Sequence, residues 1–273
     1  MENIEPYLDG KRLYGDDFGP EEIAEWHADE KEGYANLGAR DTPSYSYGYH
    51  ALNKRHVFRH IPAGPLGNVL GFGSADGAEL HPIMSRVQAV TILDPSDAFV
   101  RESIQGVPAT YIKPNWDGRM PVPDNTFDLI ICFGVLHHIP NVSFVVSEMT
   151  RTLKPGGYMS IREPIVSMGD WTKPRPGMTR RERGIPLAVL KNIIQSCKLD
   201  TTYFSLIDFQ LTRHVFRPFV KEVFDSPFAV WFDEVMASLF SWNLRYHARN
   251  TLQKFRPASA CFVLRKPVRD KAH

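Results

Sequence analysis

The chain has 273 residues, 43% of them hydrophobic and 23% charged, enough to bury a full core in one elaborated domain or two small ones. A net charge of +1 supplies no global field to recruit nucleic acid or an acidic membrane, so neither is an expected partner. The start, Met1 to Pro6, lacks a signal peptide's apolar segment, and the longest apolar run, Leu129 to Leu136, cannot span a bilayer; the expected location is cytoplasmic.

In chain order, residues 1–60 read as an N-terminal helical cap, with a helix from about Pro20 to Gly33 whose first turn carries Glu21 and Glu22. Tyr45-Ser46-Tyr47-Gly48-Tyr49-His50 follows, then a basic segment and the breakers Pro62, Gly64, Pro65 and Gly67. From there strands and helices alternate. Strands are expected at Val69–Phe72, Ala89–Leu93, Ala109–Ile112, Phe127–Phe133, Tyr158–Arg162, Thr202–Phe209 and Ala260–Leu264. Helices are expected at Gly77–Ser85, Pro95–Glu102, Ser143–Leu153 and Pro186–Cys197, with a turn at Lys154-Pro155-Gly156-Gly157. This pattern predicts a single α/β domain: a Rossmann-like, mostly parallel seven-stranded sheet with helices on both faces over residues 61–209. An α-helical insertion, residues 210–257, precedes the last strand and tail, 258–273. Its aromatics, among them Trp231, Phe232, Phe240, Trp242 and Tyr246, sit in a predicted helix from Asp225 to His247 and read as core, with a substrate lid as the alternative.

Chemistry concentrates in Val69-Leu70-Gly71-Phe72-Gly73-Ser74-Ala75-Asp76-Gly77. A strand runs into a glycine turn, and a second strand ends on Asp94 about twenty residues past the first glycine. Glycines let backbone approach a ligand, and a carboxylate so placed accepts hydrogen bonds from ribose hydroxyls. The third glycine comes one residue late for the dinucleotide fingerprint, so the unit reads as nucleoside-binding; the plainer alternative is a tight turn with Asp94 capping the segment at Pro95. Cys132, Cys197 and Cys261 are widely spaced in apolar contexts and read as buried thiols; no cluster has the spacing of a dedicated metal site.

Phe127-Asp128-Leu129-Ile130-Ile131-Cys132-Phe133-Gly134-Val135-Leu136-His137-His138-Ile139-Pro140, followed by Glu148 to Gly157 with its Leu-Lys-Pro-Gly-Gly ending, resembles the class I S-adenosylmethionine-dependent methyltransferases, of the type 11-like kind. The resemblance covers roughly Asn68 to Leu206 plus the last strand, and it implies S-adenosyl-L-methionine as cofactor. By that resemblance the donor lies on Gly71, Gly73, Ser74 and Gly77, its ribose on Asp94 beside Pro95, its adenine near Trp116 and Asp117, and its sulfonium near Phe133 and Gly134. Two positions depart from the family pattern. Gly71 stands where relatives carry an acidic residue, with Glu79, Asp76 or His138 as possible substitutes. Ala75 stands where they carry glycine, which is tolerable at negative φ.

Ligands of open α/β sheets bind beyond the carboxyl ends of the strands. Arg162 and Glu163 end the fifth strand there. The loop that follows, Ser167 to Gly184, is long and basic, and resembles more loosely a segment of methyltransferases in bacterial polysaccharide and nucleotide-sugar pathways. Arg162, Trp171, Arg175, Arg180, Arg181 and Arg183, with Tyr47 and Tyr49, are the candidate contacts to a small, anionic acceptor, the alternative being a solvated loop that caps the sheet. His137, His138 and Glu163 are the candidate bases. The expected reaction is in-line O-methylation of a sugar-containing acceptor. Alternatives are a phenolic or polyketide acceptor, or a non-catalytic S-adenosylmethionine-binding regulatory module.

Overall fold

A computed structural model describes residues 4–38, 47–173, 175 and 177–268, with the side chains of 31–38 left aside. Eight strands form one sheet: β1 (Leu66–Phe72), β2 (Val87–Leu93), β3 (Ser103–Ile104), β4 (Val107–Ile112), β5 (Phe127–Phe133), β6 (Leu153–Pro164), β7 (Asp200–Phe209) and β8 (Pro257–Arg265). Their order is β3-β4-β2-β1-β5-β6-β8-β7. β4, β2, β1, β5 and β6 run parallel, and β8 is antiparallel to both neighbours. The strand beyond the expected seven is β3, folded back on β4 through a two-residue turn in which Gln105 and Gly106 both have positive φ.

Continuous apolar runs in the central strands bury both faces. On one face Leu70, Ile130, Cys132 and Met159 pack under α4 (Val142–Thr152) and α5 (Leu187–Ser196). On the other, Val69, Leu129, Ile131 and Val263 pack with Leu52 of α3 (His50–His56), the 3-10 segment Ala78–Arg86 and Val230 of α7 (Pro227–Leu239). The cap, α1 (Glu5–Leu8) and α2 (Pro20–Gly38), brings Tyr14 and Trp26 against Trp171 and Tyr246 in a separate aromatic cluster.

Several expected elements differ. Pro95–Glu102 is not helical, because Asp94 and Ser96 side chains take the backbone N–H groups of Ser96 and Ala98 at 2.9 and 3.2 Å. Ala78–Arg86 is a 3-10 helix around Pro82, which lacks a donor. The expected turn at 154–157 lies within β6, where the β5–β6 register shifts and Gly156 takes φ +81°. The insertion holds α6 (Gln210–Phe216) as well as α7, and α7 ends at Leu239 rather than His247. Just beyond it, Asn243 donates to the carbonyls of Leu252 and Phe255 at 2.9 and 2.8 Å, turning the chain back. Among the described residues no helix is long and apolar enough to cross a membrane. Tyr45 and Ser46 lie outside the described residues.

Candidate active site

The carboxyl ends of β1, β2, β5 and β6 converge on the glycine turn. Gly73 donates to the Leu93 carbonyl at 2.7 Å, tying β1 to β2, and has φ +67°. A Cβ there would come within 2.6 Å of Val135, so this glycine serves the packing of the turn against the loop after β5. Asp94 receives the N–H of Ala75 at 3.1 Å and of Ser96 at 2.9 Å, so both its oxygens brace the turn. Burial raises its pKa, partly offset by those two donors. It remains half-buried on the edge of a cavity of about 490 Å³ that Tyr111, Ile112 and Arg101 also line. The Tyr111 hydroxyl is buried with no partner among the described residues. A larger cavity, about 630 Å³, is lined by Lys191, Asp200 and Thr201 at the start of β7, the wrong end of the strands for a ligand of this sheet type.

Ala75 departs from the favourable case: its φ is +45°. A left-handed alanine costs about 1–2 kcal/mol, so Ala75→Gly should raise stability by about 1 kcal/mol, read as an upward shift in a denaturant midpoint with unchanged slope.

The missing acid at Gly71 has a structural answer. A Cβ on Gly71 would lie 2.5 Å from the Ser74 hydroxyl, leaving no room for a carboxylate. Ser74 instead donates to Glu79, a buried carboxylate five residues on. Burial pushes Glu79 up to about 7, although Ser74 and the Arg162 charge pull the other way. Of the three possible substitutes, Glu79 is the one buried against Ser74; Asp76 accepts the Ala78 N–H at 3.2 Å, and His138 lies beside Glu30.

Around the loop after β5, the candidate bases are already engaged. Glu163 accepts the N–H groups of Val135 and Leu136 at 2.8 Å each, and its other oxygen faces His137 Nδ1 at 2.8 Å. His137 Nε2 faces Glu182 at 3.5 Å. Burial opposes the charge, but the two carboxylates outweigh it and raise His137 to about 9; the same contact, against burial, pulls Glu182 down to about 2. His137 therefore holds its proton and organises the loop. His138 lies 3.1 Å from Glu30 and is lowered by burial and then by the His137 charge, which leaves it neutral near pH 7. His137, His138 and Glu182 present possible metal-ligand atoms within 4.8 Å of one another, which spacing in the sequence does not reveal. In this structure the protonated His137 ring bridges the two carboxylates, Nδ1–H facing Glu163 and Nε2–H facing Glu182.

The expected acceptor contacts divide sharply. Tyr47, Tyr49 and Arg162 come together: the Arg162 guanidinium lies 4.3 Å from the Tyr49 ring centre and 5.0 Å from that of Phe133, and donates to the Tyr47 hydroxyl at 3.4 Å. The loop residues do not join them. Trp171 is buried against Tyr14 rather than available to stack on a ligand. Arg183 is wholly buried, donating to the carbonyls of Tyr14, Leu136, His137, Ile139 and Pro140. Arg181 pairs with Asp29 and Glu25 of α2 at 2.8 and 2.5 Å, and Arg175 donates to the carbonyls of Met168 and Thr179. Arg180 is exposed but reaches Asp29 at 3.3 Å. The basic loop is thus clasped by acids and carbonyls, not poised for an anion.

On the donor side, Trp116 is half-exposed, and Asp117 accepts the Arg119 N–H at 3.0 Å. Pro95 leaves β2 beside Asp94, and Gly134 (φ +69°) follows Phe133 in the loop that carries His137. Tyr111, Glu30 and Glu182 are absent from the expected contacts, and Glu79 appears among them only as one of three substitutes for the acid missing at Gly71. A glutamate among arginines reads as a solvated charge, and only the fold buries these groups.

Residues 70–161 match the model of a methyltransferase domain. The chain carries an S-adenosylmethionine-dependent methyltransferase domain. Over 129 residues it is 32% identical to the ubiquinone/menaquinone biosynthesis C-methyltransferase UbiE of Shewanella pealeana, covering 43% of this chain and 51% of that protein. It is also 32% identical over 97 residues to the ubiquinone biosynthesis O-methyltransferase of Proteus mirabilis, covering 33% of this chain and 39% of that one. The chain thus spans about half the length, or less, of these relatives. The fold is that of the N-methyltransferase NodS of Bradyrhizobium japonicum, solved with S-adenosyl-L-homocysteine. The TM-score is 0.52 at 12% identity, over 88% of this chain and all of that one.

Proposed function

We propose that this chain transfers a methyl group from S-adenosylmethionine to an electron-rich aromatic acceptor of the phenol or quinol type. The observation that carries this is the Arg162 guanidinium lying over Tyr49 and Phe133 beside Tyr47, while the loop arginines are engaged within the fold. Rings gathered around a cation suit a flat acceptor, and the cation favours the phenolate that attacks. Similarity to quinone-pathway methyltransferases supports the same class.

The donor fits the residues present. Asp94 offers remaining lone pairs to ribose hydroxyls at the rim of its cavity, Tyr111 offers an unpartnered hydroxyl, and Glu79 offers a carboxylate to the amino acid end. When bound, S-adenosylmethionine supplies an electrophilic methyl group with a neutral leaving group. The protein then has to align two reactants and exclude water. His138 is the group of suitable protonation state to take the acceptor's proton, and Glu30, 3.1 Å from its Nδ1, positions it.

O-methylation of an anionic sugar-containing acceptor is the second reading, and Arg162 is the cation that favours it. Calorimetry with S-adenosylmethionine and S-adenosylhomocysteine comes first; no binding of either would remove every reading. Asp94→Ala should weaken donor binding by about 1–3 kcal/mol through lost charged hydrogen bonds, and unchanged affinity would refute its ribose role. A methyl-transfer screen over phenols, quinols and nucleotide sugars then separates the acceptors, and turnover of nucleotide sugars alone would overturn the aromatic reading.

A further inference from the structure

We propose that the outer face of the 210–257 insertion docks on an anionic lipid bilayer. The insertion is core on one side only. In α7, Ala229, Val230, Asp233 and Ala237 are buried, yet Phe228, Trp231, Val235 and Leu239 are exposed on the opposite side. At 3.6 residues per turn those four fall within an arc of about 80°. The helix is therefore apolar both where it meets the sheet and where it meets solvent. Phe219 and Trp242, just past the ends of α6 and α7, are 82% and 76% exposed. Leu211 and Val215, one turn apart on α6, are exposed as well. Phe216 joins the helices, with ring centres 5.7 Å from Phe228 and 5.3 Å from Phe232, so the outward rings form one ridge. Scattered exposed apolar residues need no explanation, but a contiguous aromatic ridge does.

Charge identifies the occupant. Arg217, Lys221, Arg245, Arg249 and Lys254 are exposed around this ridge in the sequence, whereas Asp225 is the exposed acid of the segment. Aromatic and aliphatic tips flanked by arginine and lysine are the composition of a surface that lies in the headgroup region of an acidic membrane, with long basic side chains reaching phosphates. A partner protein would have to be matched in shape, whereas a bilayer accepts an irregular ridge. This departs from the expectation, drawn from net charge alone, that no membrane is a partner: the field is local. The other side of α6 reaches the candidate acceptor residues. Arg213, on the same helix as Leu211 and Val215, donates to the Tyr49 hydroxyl at 3.1 Å. The inference goes beyond the reading above, and its test uses neither donor nor acceptor, so the two fail separately.

The experiment is flotation of the full chain with vesicles of phosphatidylcholine alone or mixed with phosphatidylglycerol, alongside sedimentation equilibrium without lipid. The chain should float with the anionic vesicles and release as salt is raised. Trp231→Ser combined with Trp242→Ser should reduce partition by about tenfold or more, because two indoles leave the interface. Arg217→Glu with Lys221→Glu should reduce it by about tenfold, selectively for anionic vesicles. All four side chains are exposed, so melting curves of the variants should superimpose on that of the parent. Failure to float with anionic vesicles, or equal flotation of the tryptophan variant, would overturn the proposal. So would a self-associated state in sedimentation that the tryptophan variant abolishes, which would make a second copy of the chain the occupant.

Discussion

Replacing Arg183 by alanine should lower the unfolding free energy by about 4 kcal/mol or more, measured by urea denaturation, while Arg180→Ala should change it by no more than about 0.5 kcal/mol. The two residues stand three apart in the same basic loop. Arg183 is fully buried, donates to five carbonyls of the cap and the His137 loop, and lies 4.9 Å from the ring centre of Trp26. Removing it strands several buried acceptors at about 1–3 kcal/mol each and opens a cavity, so its loss sums penalties that a surface pair never incurs. Arg180 is 73% exposed beside Asp29. An Arg183→Ala protein that unfolds like the parent but shows a raised acceptor KM would restore this arginine as an acceptor anchor.

The second large effect is expected at Glu79. Glu79→Gln should weaken S-adenosylmethionine binding about tenfold to a hundredfold at pH 8, the range of one charged hydrogen bond to the donor's ammonium. Protonation mimics the substitution. With the carboxyl titrating at about 7, the parent's donor affinity should fall about tenfold between pH 8 and pH 6, and the Gln variant should show a flat profile over that span. Stability runs the opposite way. Burial raises the folded-state pKa above the unfolded 4.5, so the folded chain holds this proton more tightly. Stability from Glu79 is greatest below pH 4.5 and is lost as pH rises to about 7, so Glu79→Gln should be more stable than the parent at pH 8. A variant that binds donor normally at pH 8 would show that the carboxylate faces no ligand charge. Its pairing with Ser74 would then be purely structural.

The difference between these two residues explains what was legible. Glu79 lies eight positions from Gly71, and the sequence could raise it only alongside Asp76 and His138 as a substitute for the acid missing there. Arg183 could be read only as a basic loop residue, because the Tyr14 carbonyl it holds is 169 positions away. Likewise Arg181 and Arg175 matched the chemistry of anion recognition, and that chemistry is satisfied by Asp29, Glu25 and backbone carbonyls within the fold.

The alternation of short apolar strands with helical stretches, the glycine turn after β1, and the Leu-His-His and Leu-Lys-Pro-Gly-Gly segments determined the α/β core from the sequence alone. Those features are local: period, turn chemistry and side-chain size act over a few residues. Tertiary structure alone decided which charges are paired within the fold, which histidine keeps its proton, and that the aromatic insertion presents part of its apolar surface outward. Each of those outcomes depends on contacts between distant segments, whose desolvation and pairing no local pattern encodes.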